Sequence, residues 1–125
     1  MYHPNIMDHY HAPRNKGVIQ SPDVDATSMN PLCGDAVRIT GIVSNDGIIQ
    51  DIAFEGSGCV LSMAAASIIC DAAVTKSYQE ILLWDAQMIM QMINMPLGPV
   101  RLRCALLPLQ TLKKGIQACL IDRNW

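Results

Sequence analysis

The stretch from residue 36 to residue 55 constrains the fold more than any other part of the chain. Val37, Ile39 and Val43 alternate with Arg38, Thr40 and Ser44, with Gly41 standing in the apolar row. A period of two is the pattern of a half-buried strand, because successive side chains point to opposite faces of a sheet. Asn45-Asp46-Gly47 follows, and Asp-Gly tolerates the positive φ of a tight hairpin turn. Ile48 to Glu55 then returns as a second strand, ending at Gly56-Ser57-Gly58.

Helical signals surround this hairpin. Residues 2–11 read as a short helix stopped by Ala12-Pro13-Arg14-Asn15, since proline disfavours helix at the residue before it. Residues 15–34 carry Gly17, Pro22, Asp23, Asp25, Asn30 and Pro31 with few apolar clusters, and are predicted to be a mobile loop. Leu61 to Val74, rich in Ala, Met and Ile, predicts a helix, as does Tyr78 to Asn94 with Ile81, Leu82, Met88, Ile89 and Met92. Met95-Pro96-Leu97-Gly98-Pro99 breaks the pattern. A last helix is predicted from about Ala105 to Ile121, with Pro108 in its first turn, where the missing N–H costs nothing. Helix, strands, then helices predict an α+β fold with helices packed on one face of a small antiparallel sheet.

The chain of 125 residues, half of them hydrophobic, suits one domain over residues 1–125 with a real core. A formal net charge of −2 gives no broad cationic field, which argues against nucleic acid as a partner. No apolar stretch approaches the roughly 18 residues of a membrane helix. Met1-Tyr2-His3-Pro4 lacks the basic and apolar regions of a secretory signal, so a cytoplasmic protein with reduced thiols is expected. Five cysteines, an odd count, fit a closed disulfide framework poorly.

The cysteines divide into two groups. Cys70, among Ile68, Ile69 and Ala73, and Cys119, at helical spacing from Leu112 and Ile116, read as core packing. Cys33, Cys59 and Cys104 instead fall at expected chain turning points. Cys59 and Cys104 each precede a predicted helix, whose partial positive charge favours a thiolate, and Arg103 beside Cys104 adds to it. Gly34 and Asp35 follow Cys33, and the Asp35 carboxylate could reach the same metal. Three thiolates and a carboxylate satisfy one tetrahedral zinc, or the outer positions of a [2Fe-2S] cluster. The wide sequence separations match no zinc-finger or ferredoxin pattern, so spacing leaves both a shared site and three unrelated cysteines open. His3, His9 and His11 read as the polar face of the first helix, with His9 or His11 as an auxiliary metal contact the alternative; Asp8-His9-Tyr10 with Pro13-Arg14-Asn15 could hold that helix to the body of the protein.

Four longer segments resemble the IscU/SufU-type (NifU N-terminal-like) iron–sulfur cluster assembly family. They are Met7-Asp8-His9-Tyr10-His11-Ala12-Pro13-Arg14-Asn15, Asn30-Pro31-Leu32-Cys33-Gly34-Asp35, Ile52-Ala53-Phe54-Glu55-Gly56-Ser57-Gly58-Cys59 with Ala64-Ala65-Ala66-Ser67, and Arg101-Leu102-Arg103-Cys104-Ala105. The resemblance runs almost end to end and implies a three-stranded antiparallel sheet. It implies a scaffold or carrier more than an enzyme, which accepts sulfur from a cysteine desulfurase, assembles a transient [2Fe-2S] cluster and passes it to apo iron–sulfur or carrier proteins. Cys33, Cys59 and Cys104 match the family's ligands, Asp35 its functional aspartate, and zinc is held in the same pocket in many members.

Two departures stand out. IscU-type scaffolds carry histidine where this chain has Arg103, and a guanidinium cannot ligate metal. Arg101 and Arg103 resemble the SufU branch, yet the segment between Cys59 and Cys104 has no room for that branch's insertion. Leu97-Gly98-Pro99-Val100-Arg101 departs from the Leu-Pro-Pro-Val-Lys segment bound by an Hsp70-type chaperone, which counts against that partner. The expected function is therefore a [2Fe-2S] scaffold with Asp35 as the labile ligand. The alternative is a zinc-dependent sulfur acceptor, a sulfurtransferase in which Cys33 or Cys104 takes the persulfide. A purely structural zinc module is disfavoured, because closed structural sites use sulfur and imidazole rather than a loop-borne carboxylate.

Overall fold

The computed structural model describes residues 3–32 and 34–125. Its elements run α1 (Pro4–His11), β1 (Val24–Asn30), β2 (Asp35–Val43), β3 (Ile49–Ser57), α2 (Val60–Ala73), α3 (Tyr78–Leu82), α4 (Ala86–Ile93) and α5 (Pro99–Arg123). The strands form one antiparallel sheet in the order β1-β2-β3. Arg38 stands opposite Thr27 on one side and Glu55 on the other. The predicted hairpin is present: Gly47 has φ 86°, and Ser44 N–H donates to Ile48 O at 2.9 Å.

Val37, Ile39, Ile52 and Phe54 turn one face of the sheet into the core, where they meet Leu61 and Ile69 of α2 and Leu112 and Ile116 of α5. The helix α5 lies over β1 and β2, α2 over β3, and α1 packs on α2 through the fully buried Ile6. Close approach has a steric condition at Gly115: a Cβ there would stand 2.6 Å from Val24 Cγ1 and 3.2 Å from Ala26 Cβ. Phe54 bonds outward from β3, with its N–H donating to Asn15 O and its carbonyl accepting from Gly17 N–H. The chain then crosses towards β1, and Ile19 N–H donates to Thr40 Oγ1 at 2.9 Å. No helix among the described residues is long and apolar enough to cross a membrane.

Three sequence expectations are corrected. Residues 15–34 are not a continuous loop, because β1 lies inside them. Only Val24 and Ala26 of that strand are buried, while Asp25, Thr27, Met29 and the rest are partly or fully exposed, so an edge strand carries too little apolar alternation to announce itself. The predicted helix at residues 78–94 is two helices. Asp85 caps α4 by accepting from Met88 N–H at 3.0 Å, and the preceding Trp84 is buried. The last helix starts at Pro99, not Ala105, so Pro108 sits in its interior. Pro99 at the first position suits a helix start, whereas Pro108 has no N–H to offer the carbonyl one turn back.

Candidate metal centre

Asp35, the first residue of β2, is the most buried acidic group among the described residues, with 0% exposure. Its Oδ1 accepts the Cys59 N–H at 2.9 Å, and its Oδ2 lies 3.8 Å from Cys59 Sγ. The seat exists because residue 58 is glycine: a Cβ would fall 2.3 Å from Asp35 Oδ1 and 2.8 Å from Ser62 Oγ. A wholly buried carboxylate is stable only when hydrogen-bonded, paired or bound to a metal, and no ion pair to Asp35 occurs among the described residues.

Cys59 caps the N-terminus of α2. Its Sγ accepts from Ser62 N–H at 3.4 Å, and the buried Ser62 hydroxyl, 3.5 Å from Sγ, reaches back to Cys59 O at 3.1 Å. The thiol thus fills the place a serine or aspartate takes in most caps, which fixes its direction.

Cys104 approaches from the far side of the core. It is 6% exposed and lies well past the first turn of α5, not ahead of it. The helix-terminus argument for Cys104 therefore fails, because the macrodipole acts within the first turn. Arg103 is exposed while Cys104 is buried, since consecutive helical residues face different ways. What brings Cys104 to the site is packing. One carboxylate oxygen of Asp35, Cys59 Sγ and Cys104 Sγ all lie within 4.8 Å of one another. Zinc–sulfur bonds of about 2.3 Å place tetrahedral neighbours roughly 3.8 Å apart. Two soft sulfurs and one hard oxygen at this spread fit one zinc ion with a small contraction, and leave a fourth position for a further donor.

Cys33 lies outside the described residues, so the structure places three of the four expected donors together. Cys70 and Cys119 are buried in the core, away from the site. Burial, with the charge of Asp71 adding to it, pushes the Cys70 thiol up to about 12, and burial raises Cys119 too. No histidine among the described residues joins the donor cluster. His9 instead ties α1 to α2: its Nδ1 lies 2.8 Å from Ser67 Oγ, which also accepts Arg14 N–H at 2.8 Å, while Arg14 Nη2 reaches Asp8 at 2.7 Å. Sequence reasoning missed Gly58 and Ser62. Their signals were the Gly-Ser-Gly run before Cys59 and a serine three residues after it, the spacing of a helix cap.

The chain is similar to known proteins along almost its whole length. A Bacillus subtilis protein named zinc-dependent sulfurtransferase SufU is 35% identical over 93% of this chain and 89% of its own length. The scaffold protein IscU of Buchnera aphidicola is 31% identical over 92% of this chain and 91% of its own. A crystal structure described as a candidate scaffold for the SUF system, from Fervidobacterium islandicum, superposes with a TM-score of 0.78 at 27% identity, covering 92% of this chain and 96% of that one. Residues 1–123 match the NifU-like N terminal domain family, and the chain belongs to that family.

Proposed function

We propose that this chain serves iron–sulfur cluster assembly, accepting sulfur from a cysteine desulfurase and building a [2Fe-2S] cluster on Cys33, Asp35, Cys59 and Cys104 for transfer to apo-proteins or carriers. The convergence of Asp35, Cys59 and Cys104 within 4.8 Å from three separate elements carries this reading. Asp35 is the replaceable ligand, since oxygen holds a soft centre less firmly than thiolate does. The thiols of Cys59, Cys70 and Cys119 are free, which suits a reducing cytoplasm.

A second reading, zinc-dependent sulfur transfer, is favoured by Arg103 in the place of a fourth-ligand histidine and by the name of the Bacillus subtilis relative. A bound zinc would keep the cysteine sulfurs as thiolates until a partner docks. A thiolate of Cys33 or Cys104 then attacks the outer sulfur of the desulfurase persulfide. The new S–S bond forms as the old one breaks, and the desulfurase leaves as its own thiolate. Cys104 is buried, so its use requires the start of α5 to yield.

Anaerobic reconstitution with ferrous iron, cysteine, desulfurase and a dithiol reductant, which reduces the persulfide sulfur to sulfide, tests the primary reading. A visible cluster spectrum that persists longer in Asp35→Ala, with transfer to an apo-ferredoxin slowed about tenfold, is expected. Equal transfer rates in both forms would overturn the role of Asp35. Stoichiometric zinc, stimulated desulfurase turnover and no cluster would select the second reading.

A further inference from the structure

Gly58, whose missing Cβ makes room for Asp35, also borders a second space. A cavity of about 410 Å³ opens between the end of α1 with its following segment and the turn that leads into Cys59. His9, His11 and Lys16 stand on one wall, Ser57 and Gly58 on the other, and Tyr10, Pro13 and Met63 supply apolar surface. None of the three donors of the metal centre lines it.

The lining has a one-sided chemistry. It offers an ammonium, imidazoles, a hydroxyl and glycine backbone, and no carboxylate among the described residues. Lys16 is held in place by its backbone, which bridges to Phe54 in parallel register. The His9 ring is fixed by its contact with Ser67 Oγ. Concave sites of this size, mostly preformed, with a few convergent polar groups over apolar surface, are the usual form of small-molecule sites. A cation beside N–H and O–H donors selects an anion, and the apolar surface of Tyr10, Pro13 and Met63 favours one with a short carbon stem over a bare inorganic ion.

We propose that this cavity binds a small carboxylate, its charged end held by Lys16 and His11 and its methylene stem lying on Tyr10, Pro13 and Met63. Such a ligand joins α1 to the turn before Cys59 without touching the metal donors. Its binding therefore stands independently of which metal or cluster the neighbouring centre carries.

The full chain, isotope-labelled and titrated with succinate at low salt, tests this by NMR. Saturable shifts at Lys16, Ser57 and Gly58 are expected, with no such response to neutral succinamide of the same shape. Lys16→Gln, an exposed change, should weaken succinate about tenfold, the effect of losing one charge-assisted hydrogen bond. Cys59→Ser should leave succinate binding unchanged, which separates this site from the metal centre. Absent or non-saturable shifts, an equal response to succinamide, or undiminished binding in Lys16→Gln would each overturn the site. Inorganic phosphate binding as tightly as succinate would overturn its preference for carboxylates.

Discussion

The candidate metal centre turns on residues that carry no donor atom. Gly58 contributes only the absence of a Cβ, yet a methyl group there would collide with Asp35 Oδ1 at 2.3 Å. Gly58→Ala is expected to displace the carboxylate and weaken zinc binding by about 10–100-fold, the usual effect of disturbing the support of a metal ligand. Competition with a chelator measures it, and an unchanged circular dichroism spectrum would show that the fold survives. The same separation between neighbouring chemistries appears among the thiols. Cys59 is half-buried at a helix cap, whereas the Cys70 thiol is fully buried and pushed up to about 12. Brief alkylation of the native, metal-free protein at about pH 8 should label Cys59 and spare Cys70, because only a thiolate reacts; peptide mass spectrometry reads the outcome. Rapid labelling of Cys70 would contradict its place in the core. In the sequence these two cysteines were separable by their neighbours: Gly-Ser-Gly before one, Ile-Ile before the other.

At the scale of elements, α5 decides most. It lies across β1 and β2, supplies Cys104, and ends where Arg123 donates to Val43 O and Ser44 O and pairs with Asp23 at 3.1 Å. Gly115 lets it sit against Val24 and Ala26. Gly115→Val should push the helix off β1 and destabilise the protein by about 1–3 kcal/mol, the range for overpacking a filled core, as read from urea unfolding. An unchanged midpoint would mean that this contact is looser than its geometry. The strand that α5 covers was also the element hidden from the sequence. A two-sided alternation such as 36–44 is legible because both its rows are long. In β1 only Val24 and Ala26 are buried, two positions in seven residues, so periodicity alone could not find it. The early start of α5 was hidden for another reason: two prolines, Pro99 and Pro108, fit one helix only when the first opens it and tertiary packing tolerates the second.

For the whole molecule, acid stability gives a measure of how α1 is docked. Burial, and then the charge of Arg14, holds His9 below its ordinary value of 6.5. The folded state thus disfavours the proton that the unfolded chain accepts, so this contribution is full above about pH 6.5 and is lost as pH falls. Asp25 is held below 3.8 by its hydrogen bond from Arg38, so its contribution is full above that value and lost at lower pH. Denaturation at stepped pH should show two acid-sensitive ranges, and His9→Gln should remove the upper one; a wild-type slope persisting in that variant would place its cause elsewhere. The sequence by itself determined the hairpin, the helix that follows Cys59, the buried Cys70 and Cys119, and the family, because these are written in local periodicity, turn chemistry and contiguous motifs. Tertiary structure alone decided that Asp35, Cys59 and Cys104 meet, since their meeting depends on how the β2 terminus, the α2 cap and the interior of α5 pack around one core, and no local pattern encodes the distance between them.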